Sequence, residues 1–465
     1  MLKVAFHNLG CKVNAYENER MIQMFIKKGH EIVPFDQKAD VYIINTCTVT
    51  NIADRKSRQM LHRSKQLNPE SIVVACGCYV DTGYENARSD RAIDILVKNK
   101  EKDDIVAIVE GYLKTREKDP GALDREEEPY IKEKEKEGLE NRGCDQEGSH
   151  LRTGLYKHTR AYLKIQDGCD QFCSYCVIPF ARGRISSRSD EDIGKDLNEL
   201  SKRGIKELVL TGIHLSSFGL DREEVKCSYN MLAKEGGFTN RALIRVIEMA
   251  QETEGIERIR LGSLEPRIIT EEFLRSVSSY DKLCPHFHLS LQSGSDSVLK
   301  RMNRQYSTEE FFEKLLMIRE TFEHPAITTD VIVGFPGESE EEFLRTRDFL
   351  NKADLYESHI FKYSRRAGTL ADKMEGQLTD KVKSQRSRIL IEDGKKRAKS
   401  FREYYISREK EVLFEEKQNI FGEDYYVGYT GEYVKCACKS DLSLENIIKK
   451  GKISGMLSEE ILVFL

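Results

Sequence analysis

The chain reads as an α/β protein in three successive parts: a parallel α/β domain, a partial (β/α)6 barrel and a small all-β domain. Three observations predict this. Short β-rich runs alternate with polar helical stretches over residues 1–113, the pattern of a parallel sheet with crossover helices. A second series of six strand-like runs follows, each ending in a polar or glycine-bearing cluster and leading into a helix-like segment. The end of the chain, 402–465, is made of short strands and turns, as in a small barrel or sandwich.

In the first part the strands are KVAFHNLG, DVYIINT, SIVVACG and IDILVKN. Three of them deliver a cysteine at or just past their carboxyl ends, Cys11, Cys47 and Cys78. That edge of an open α/β sheet is where ligands bind. Residues 114–150 are dominated by charge and nearly free of β-branched or aromatic side chains, so they read as a solvated linker carrying Cys144. The barrel spans 151–385, and its clusters are AYLKIQDGC, ELVLTGIHL, RIRLGSLEP, HFHLSLQSG, TTDVIVGFPGE and SHIFKYSRR. Helical stretches such as ALIRVIEMAQE and TEEFFEKLLMIRE separate them, with Ser or Thr placed as caps. In such barrels chemistry gathers on the carboxyl face, where all six clusters fall. A basic helical connector, 386–401, leads into the β domain of 402–465.

The 465 residues carry 74 basic and 78 acidic side chains, a formal net charge of −4, so no global charge advertises a polyanionic partner. Positive charge concentrates locally instead. The span 381–402 has nine basic residues against Glu392 and Asp393, a stripe suited to phosphates or to a solvated helix face. Arg182, Arg184 and Arg188, and Arg365 with Arg366, are further candidates for a phosphate or carboxylate. MLKVAFHNLG has neither an apolar signal core nor a cleavage site, and no apolar run approaches the ~18 residues that cross a bilayer. The expectation is a cytoplasmic protein without membrane contact, in which the twelve cysteines are metal ligands or buried thiols rather than disulfides.

Cysteine spacing decides which. Cys169, Cys173 and Cys176 form a C-x3-C-x2-C triad in the loop after a strand. A [4Fe-4S] cluster takes one ligand per iron and is normally held by four thiolates, so three close cysteines suggest an iron with an open site. Structural zinc wants four closed ligands, and no fourth Cys or His lies near.

With Tyr175 just before the last cysteine, the triad resembles that of the radical S-adenosylmethionine (SAM) superfamily. The resemblance implies that SAM chelates the open iron and that a 5'-deoxyadenosyl radical forms. DVIVGFPGE (Gly334, Gly337) resembles the glycine motif beneath the cofactor, and TGIHLSSFG (Gly212), SLEP (Glu265) and LQSG (Gln292) resemble loops on its methionine and ribose ends. LGCKVNAYENE, INTCTVT and CGCYV resemble the three cysteine motifs of methylthiotransferases, whose order of a flavodoxin-like α/β domain, a TIM-type radical SAM core and a TRAM domain matches this chain. GCKVNxYE is similar to the MtaB type.

The resemblance implies that Cys11, Cys47 and Cys78 bind an auxiliary [4Fe-4S] cluster carrying the sulfur. Cys76 stands two residues before Cys78 on the same strand face and remains an alternative ligand. Cys227, Cys284, Cys436 and Cys438 match no motif. The implied reaction is methylthiolation of C2 of N6-threonylcarbamoyladenosine at position 37 of tRNA. It uses two [4Fe-4S] clusters and SAM, with the anticodon loop as partner and flavodoxin or ferredoxin as electron donor. Alternatives are another methylthiotransferase substrate, isopentenyladenosine in tRNA or a ribosomal protein side chain, or a cluster-bearing RNA-binding protein without catalysis.

Overall fold

The computed structural model describes residues 1–118, 159–223, 225, 227, 229–233 and 237–465. Two compact units divide the chain. The first comprises Met1–Gly10, Glu17–Thr48 and Ile52–His158; the second comprises Cys11–Tyr16, Val49–Asn51 and Thr159–Leu465.

The first unit is built on β1 (Lys3–Asn8), β2 (Glu31–Val33), β3 (Val41–Thr46), β4 (Ile72–Gly77) and β5 (Ile95–Val97), in the order β2-β1-β3-β4-β5. Every pairing is parallel. β3 and β4 are buried along their whole length, so they read as unbroken apolar runs rather than alternating ones. Apolar side chains pack on both faces, Val4, Ile43 and Val74 in one cluster and Ala5, Ile44 and Ala75 in the other. β2 is an addition to the four expected strands; EIV is too short to show a period. The helix Ile105–Lys118 runs past residue 114, where the linker was expected to start, and Ile105, Ile108, Val109 and Tyr112 give it an apolar face on the sheet. The remainder of the expected linker, with Cys144, lies outside the described residues.

In the second unit all six expected strands form: β6 (Arg160–Asp167), β8 (Glu207–Gly212), β9 (Arg258–Leu261), β11 (His286–Leu289), β12 (Ala326–Val333) and β13 (Glu357–Lys362). Two short strands, β7 (Ser186–Ser187) and β10 (Ser263–Leu264), flank them. The sheets β7-β6-β8-β9 and β10-β11-β12-β13 are continuous through a parallel bridge between Ile259 and Leu283. The six strands therefore make a parallel, curved partial barrel. Ser189, Thr270, Ser307 and Ser339 cap its helices as expected of Ser and Thr, and Asn240 caps the helix Arg241–Glu252 in their place; each accepts a hydrogen bond from the amide three residues on. Ser307 with Glu310 and Ser339 with Glu342 form reciprocal capping boxes.

The basic stretch is one helix, Asp380–Glu403, which crosses the boundary expected at 385–386 without a break. It is also less of an open stripe than its charge suggests, since Lys383, Arg386 and Arg402 are buried. Arg386 pairs with Glu338 and Glu340, and Arg402 with Glu357, fastening the helix within the unit. The tail closes into a barrel, β14-β15-β16-β18-β17, from β14 (Glu409–Ile420), β15 (Glu423–Tyr429), β16 (Lys435–Cys438), β17 (Ile447–Met456) and β18 (Leu462–Phe464). Closure leaves no unpaired sheet edge. β17 and β18 extend the strand runs expected there.

Candidate functional site

Cys169, Cys173 and Cys176 sit in the loop between β6 and the helix Ile178–Arg182, at the carboxyl end of the first barrel strand. Gly168 turns the chain into this loop with φ +68°, and a Cβ there would lie 1.9 Å from the Arg184 carbonyl oxygen, so only glycine fits. The segment after β11 clamps the loop. Ser174 donates from its amide to the Met302 carbonyl (3.0 Å) and from its hydroxyl to that of Arg301 (2.8 Å), and Asn303 donates to the Phe172 carbonyl (3.0 Å).

Arg304, held by Tyr306, points Nη1 at Cys173 Sγ (3.3 Å), and the Gln171 amide points at Cys169 Sγ (3.5 Å). Both N–H groups favour sulfur that carries charge. Burial pushes the Cys169 and Cys176 thiols up to about 12, and coordination to iron is what removes a proton from such a thiol. Among the described residues, the trio with ligand atoms within 4.8 Å of one another is His288, Asp330 and His359, and neither cysteine triad meets that spacing. Sulfurs on one tetrahedral ion must be that close, whereas in a [4Fe-4S] cluster each thiolate takes its own iron. Three thiols, one per iron, suit a cluster with one iron left open.

The amino-terminal cysteines follow three neighbouring strands, Cys11 after β1, Cys47 after β3 and Cys78 after β4. Cys11 is exposed. Cys47 exchanges hydrogen bonds between its main chain and the Ser57 hydroxyl, and Asn99 lies 3.7 Å from Cys78 Sγ. Cys76, the alternative ligand, is inside β4, fully buried among Val74, Ile43 and Val97, with its sulfur on the Ile44 carbonyl (3.5 Å). Burial pushes its thiol up to about 12, the environment of an inert packing cysteine. Cys284 and Cys436 are buried in the same way.

The residues expected against SAM lie around one cavity of about 220 Å³ or close to the loops that follow β8, β9 and β12. Tyr175, Cys176, Gln292, Asp330, Ile332 and Tyr363 line the cavity. Gln292 adopts φ +70° and bridges to β12 through the Asp330 carbonyl and the Ile332 amide, both at 2.8 Å. Glu265 is buried, with its oxygens engaged by Tyr229 Oη (2.7 Å) and by Arg267 Nε (2.7 Å) and amide (2.9 Å). Gly212 packs on Gln166, Gly334 on Lys383, and Gly337 donates to the Gly376 carbonyl.

His214, after β8, was not singled out from sequence. Its Nδ1 meets the Ser217 hydroxyl (2.6 Å), while its buried Nε2 has no hydrogen-bond partner. Burial, and then Arg304 and Arg267, bring its pKa down to about 3, so it stays neutral. An orphaned neutral imidazole beside the triad's arginine is what a site awaiting a polar ligand requires. The only sequence signal was a histidine at the carboxyl end of a barrel strand.

A second cavity, of about 270 Å³, lies on the same inner barrel face, towards the amino-terminal ends of the strands. Tyr162, Val209, Arg260, His288, Thr328 and His359 supply one residue each from the six strands, and Lys12 joins them. Glu207 lies beneath, between Arg160 (2.6 Å) and Arg260 (3.1 Å), which overcome the cost of burying it and lower its pKa to about 2. Tyr433 from the β-barrel stacks on His286 (5.3 Å, 7°).

The arginines proposed from sequence are largely committed elsewhere. Arg182 bonds Asp167 and Asn14, Arg188 bonds Asp196 and Tyr16, Arg365 bonds Asp372 and Arg366 bonds Asn51. Arg184 is exposed, lying over the Phe172 ring and pairing with Asp170 (3.4 Å).

Residues 163–350 match the Radical SAM superfamily and residues 3–98 match Uncharacterized protein family UPF0004. The chain is 37% identical to the threonylcarbamoyladenosine tRNA methylthiotransferase MtaB of Bacillus subtilis (strain 168), covering 97% of this chain and 94% of that protein. The chain belongs to the MtaB-type radical SAM methylthiotransferase family. A second methylthiotransferase of this name, from Aquifex aeolicus (strain VF5), is 39% identical over 91% of this chain and 95% of its own. The tRNA-2-methylthio-N(6)-dimethylallyladenosine synthase of Clostridium tetani (strain Massachusetts / E88) is 34% identical over 87% and 84%.

Among solved structures, the radical SAM methyltransferase TsrM of Kitasatospora setae aligns with TM-score 0.52 at 16% identity, over 79% of this chain and 73% of TsrM, a likeness of fold. As a methylthiotransferase the protein is a transferase that works on tRNA with SAM and two [4Fe-4S] clusters. No helix among the described residues is long and apolar enough to cross a membrane.

Proposed function

We propose that the chain adds a methylthio group to C2 of N6-threonylcarbamoyladenosine at position 37 of tRNA, acting in the cytoplasm on the anticodon loop with a small electron carrier of the flavodoxin or ferredoxin kind. The observation that carries the reading is end-to-end similarity, at 37% and 39% identity, to relatives named for threonylcarbamoyladenosine. The site supports it. Cys169, Cys173 and Cys176 hold the radical-generating cluster, with Arg304 and the Gln171 amide stabilising thiolate charge. Tyr175, Gly212, Glu265, Gln292, Gly334 and Gly337 surround SAM. Cys11, Cys47 and Cys78 hold the auxiliary cluster, while Cys76 packs the sheet.

The clusters and SAM supply hydrogen abstraction and sulfur and methyl donation, which acid or base side chains cannot provide at an unactivated aromatic C–H bond. The protein's own part is to shape the lumen, to keep His214 neutral, and to hold the triad loop through Ser174 and Asn303. The test is nucleoside analysis of tRNA from a strain lacking the gene. The 2-methylthio form of threonylcarbamoyladenosine should vanish and unmethylthiolated threonylcarbamoyladenosine should accumulate. Loss of the methylthio group from the dimethylallyl nucleoside instead would overturn the assignment.

A further inference from the structure

The lower cavity contains a cation that no carboxylate among the described residues contacts directly. Arg160 is held by Glu207, Glu415 (2.7 Å) and the Tyr433 hydroxyl (2.9 Å), and Arg260 by Glu207 and the Gly431 carbonyl (2.9 Å). His286 and His288 share the Thr328 hydroxyl. The acids there are matched too, Glu357 with Arg402 and Asp330 with His288 (3.4 Å). Lys12 differs. It lines the cavity and keeps accessible surface, yet its ammonium makes no hydrogen bond or ion pair among the described residues. Asp330 and Glu207 act on it only through space, against Arg260 and Arg160, and an ammonium so placed towards a polar cavity favours an anion there.

The cavity is the lower level of the lumen whose upper level adjoins Cys176. On β12, Thr328 borders the lower cavity and Asp330 the upper; on β13, His359 and Phe361 do the same. Residues two apart on a strand share a face and stand ~7 Å apart. A base whose reacting carbon faces SAM held at the upper level can therefore set a short substituent at the level of Lys12. In adenine, C2 and C6 flank N1, so a base presenting C2 to the cluster loop carries its N6 substituent along the same edge. The threonylcarbamoyl group ends in a carboxylate; a dimethylallyl group carries no charge.

We propose that the Lys12 cavity is the subsite for the substrate's carboxylate, and that Lys12 makes the enzyme prefer a carboxylate-bearing N6 substituent over an apolar one. This rests on the functional reading above. Lys12 is a specificity-determining residue here, touching the substrate remote from the reacting carbon.

The experiment uses the full-length protein with both clusters, reconstituted anaerobically. Three anticodon stem-loops are compared: position 37 as threonylcarbamoyladenosine, as its methyl ester, and as dimethylallyladenosine. Equilibrium binding and kcat/KM are measured for the wild type, Lys12→Met and Lys12→Arg. The wild type should prefer acid to ester by about ten- to a hundredfold, the range of one charge-assisted hydrogen bond. Lys12→Met should bring acid and ester within about twofold by lowering the acid towards the ester, while Lys12→Arg should keep most of the preference.

An acid preference retained by Lys12→Met with full iron content overturns the inference, and so does a wild type indifferent to esterification, which holds even where Lys12→Met fails to fold. A wild type that converts the dimethylallyl form and not the threonylcarbamoyl form overturns the functional reading with it. His288, Asp330 and His359 supply the rival outcome. Uptake of one zinc ion, lost in His359→Ala and accompanied by an acid preference that Lys12→Met leaves intact, makes the cavity a cation site and overturns the proposal.

Discussion

The two cysteine triads are built in opposite ways. Cys169, Cys173 and Cys176 fall in one loop that follows one strand, and their geometry is set by near neighbours: a glycine at φ +68°, a turn closed by the Cys176 amide on the Cys173 carbonyl, and a clamp from Ser174 to the segment after β11. Cys11, Cys47 and Cys78 follow the ends of three strands, β1, β3 and β4, that are neighbours in the sheet though far apart in sequence. A loop-borne triad is local, so its motif is visible as spacing. A sheet-borne triad is a product of topology, so its members look like three unrelated cysteines until the strands are ordered. The local triad also carries its own electrostatic support in Arg304.

The largest expected effects separate the triads by function. Cys173→Ala should reduce anaerobic formation of 5'-deoxyadenosine from SAM to background, because one iron of the radical-generating cluster loses its thiolate. The combined Cys11, Cys47 and Cys78→Ala variant should still form 5'-deoxyadenosine but make no methylthiolated nucleoside. Its iron should fall from about eight to about four atoms per chain. Chromatography of the two products, with iron analysis, reads all three quantities. Equal loss of 5'-deoxyadenosine in both variants would erase the distinction.

The scaffold under the local triad gives the next effect. Glu207 is wholly buried between Arg160 and Arg260, and removing one partner from such a cluster typically costs about 3–5 kcal/mol. Glu207→Gln should destabilise by an amount of this order in urea unfolding. The arginines outweigh burial and hold the Glu207 pKa at about 2. A group depressed on folding contributes stability above its unfolded value, about 4.3, and loses it as pH falls towards 2. Wild type should therefore weaken over that window more steeply than Glu207→Gln. Identical acid limbs would show that Glu207 carries no such linkage.

Much of this architecture was legible because period and punctuation agree. VYIINT and IVVACG are strands buried on both faces, and Ser307 and Ser339 with their glutamates announce helix starts. The short strand β2, the extension of Ile105–Lys118 and the inward turn of Lys383, Arg386 and Arg402 were not legible, since each depends on what packs against it. Charge counting treated the helix 380–403 as a surface, whereas Glu338 and Glu357, far away in sequence, draw its arginines inward. Lys12 shows the same limit within the site. Its neighbours in GCKVN drew notice as a cysteine motif, and nothing local says that the lysine enters a cavity lined by all six barrel strands.

Smaller effects test whether support around the local triad is itself functional. Arg304→Met removes the donor to Cys173 Sγ while leaving the three cysteines. Losing such an outer contact to a ligand typically costs about 10–100-fold in metal affinity or activity. Slower 5'-deoxyadenosine formation with a shifted cluster reduction potential is expected. An unchanged potential would mean that Arg304 only braces the loop.

The smallest effect concerns Cys76, which tests the sheet-borne triad by exclusion. Cys76 is fully buried in the core cluster that holds Val74, Ile43 and Val97, with its sulfur on the Ile44 carbonyl. Cys76→Ala deletes one buried sulfur, a loss comparable to a methylene or two and about 1 kcal/mol. Iron content and methylthiolation should both be retained, because β4 ends at Gly77 and Cys78, beyond it, opens the helix Cys78–Thr82 at the strand's carboxyl edge. Cys78→Ala should reverse the iron result, with auxiliary iron and methylthiolation lost, at a similar small cost in stability because Cys78 is buried too. If Cys76→Ala were the variant that lost iron, β4 would have to present its interior rather than its end to the cluster, and the strand-end placement of this triad would be wrong.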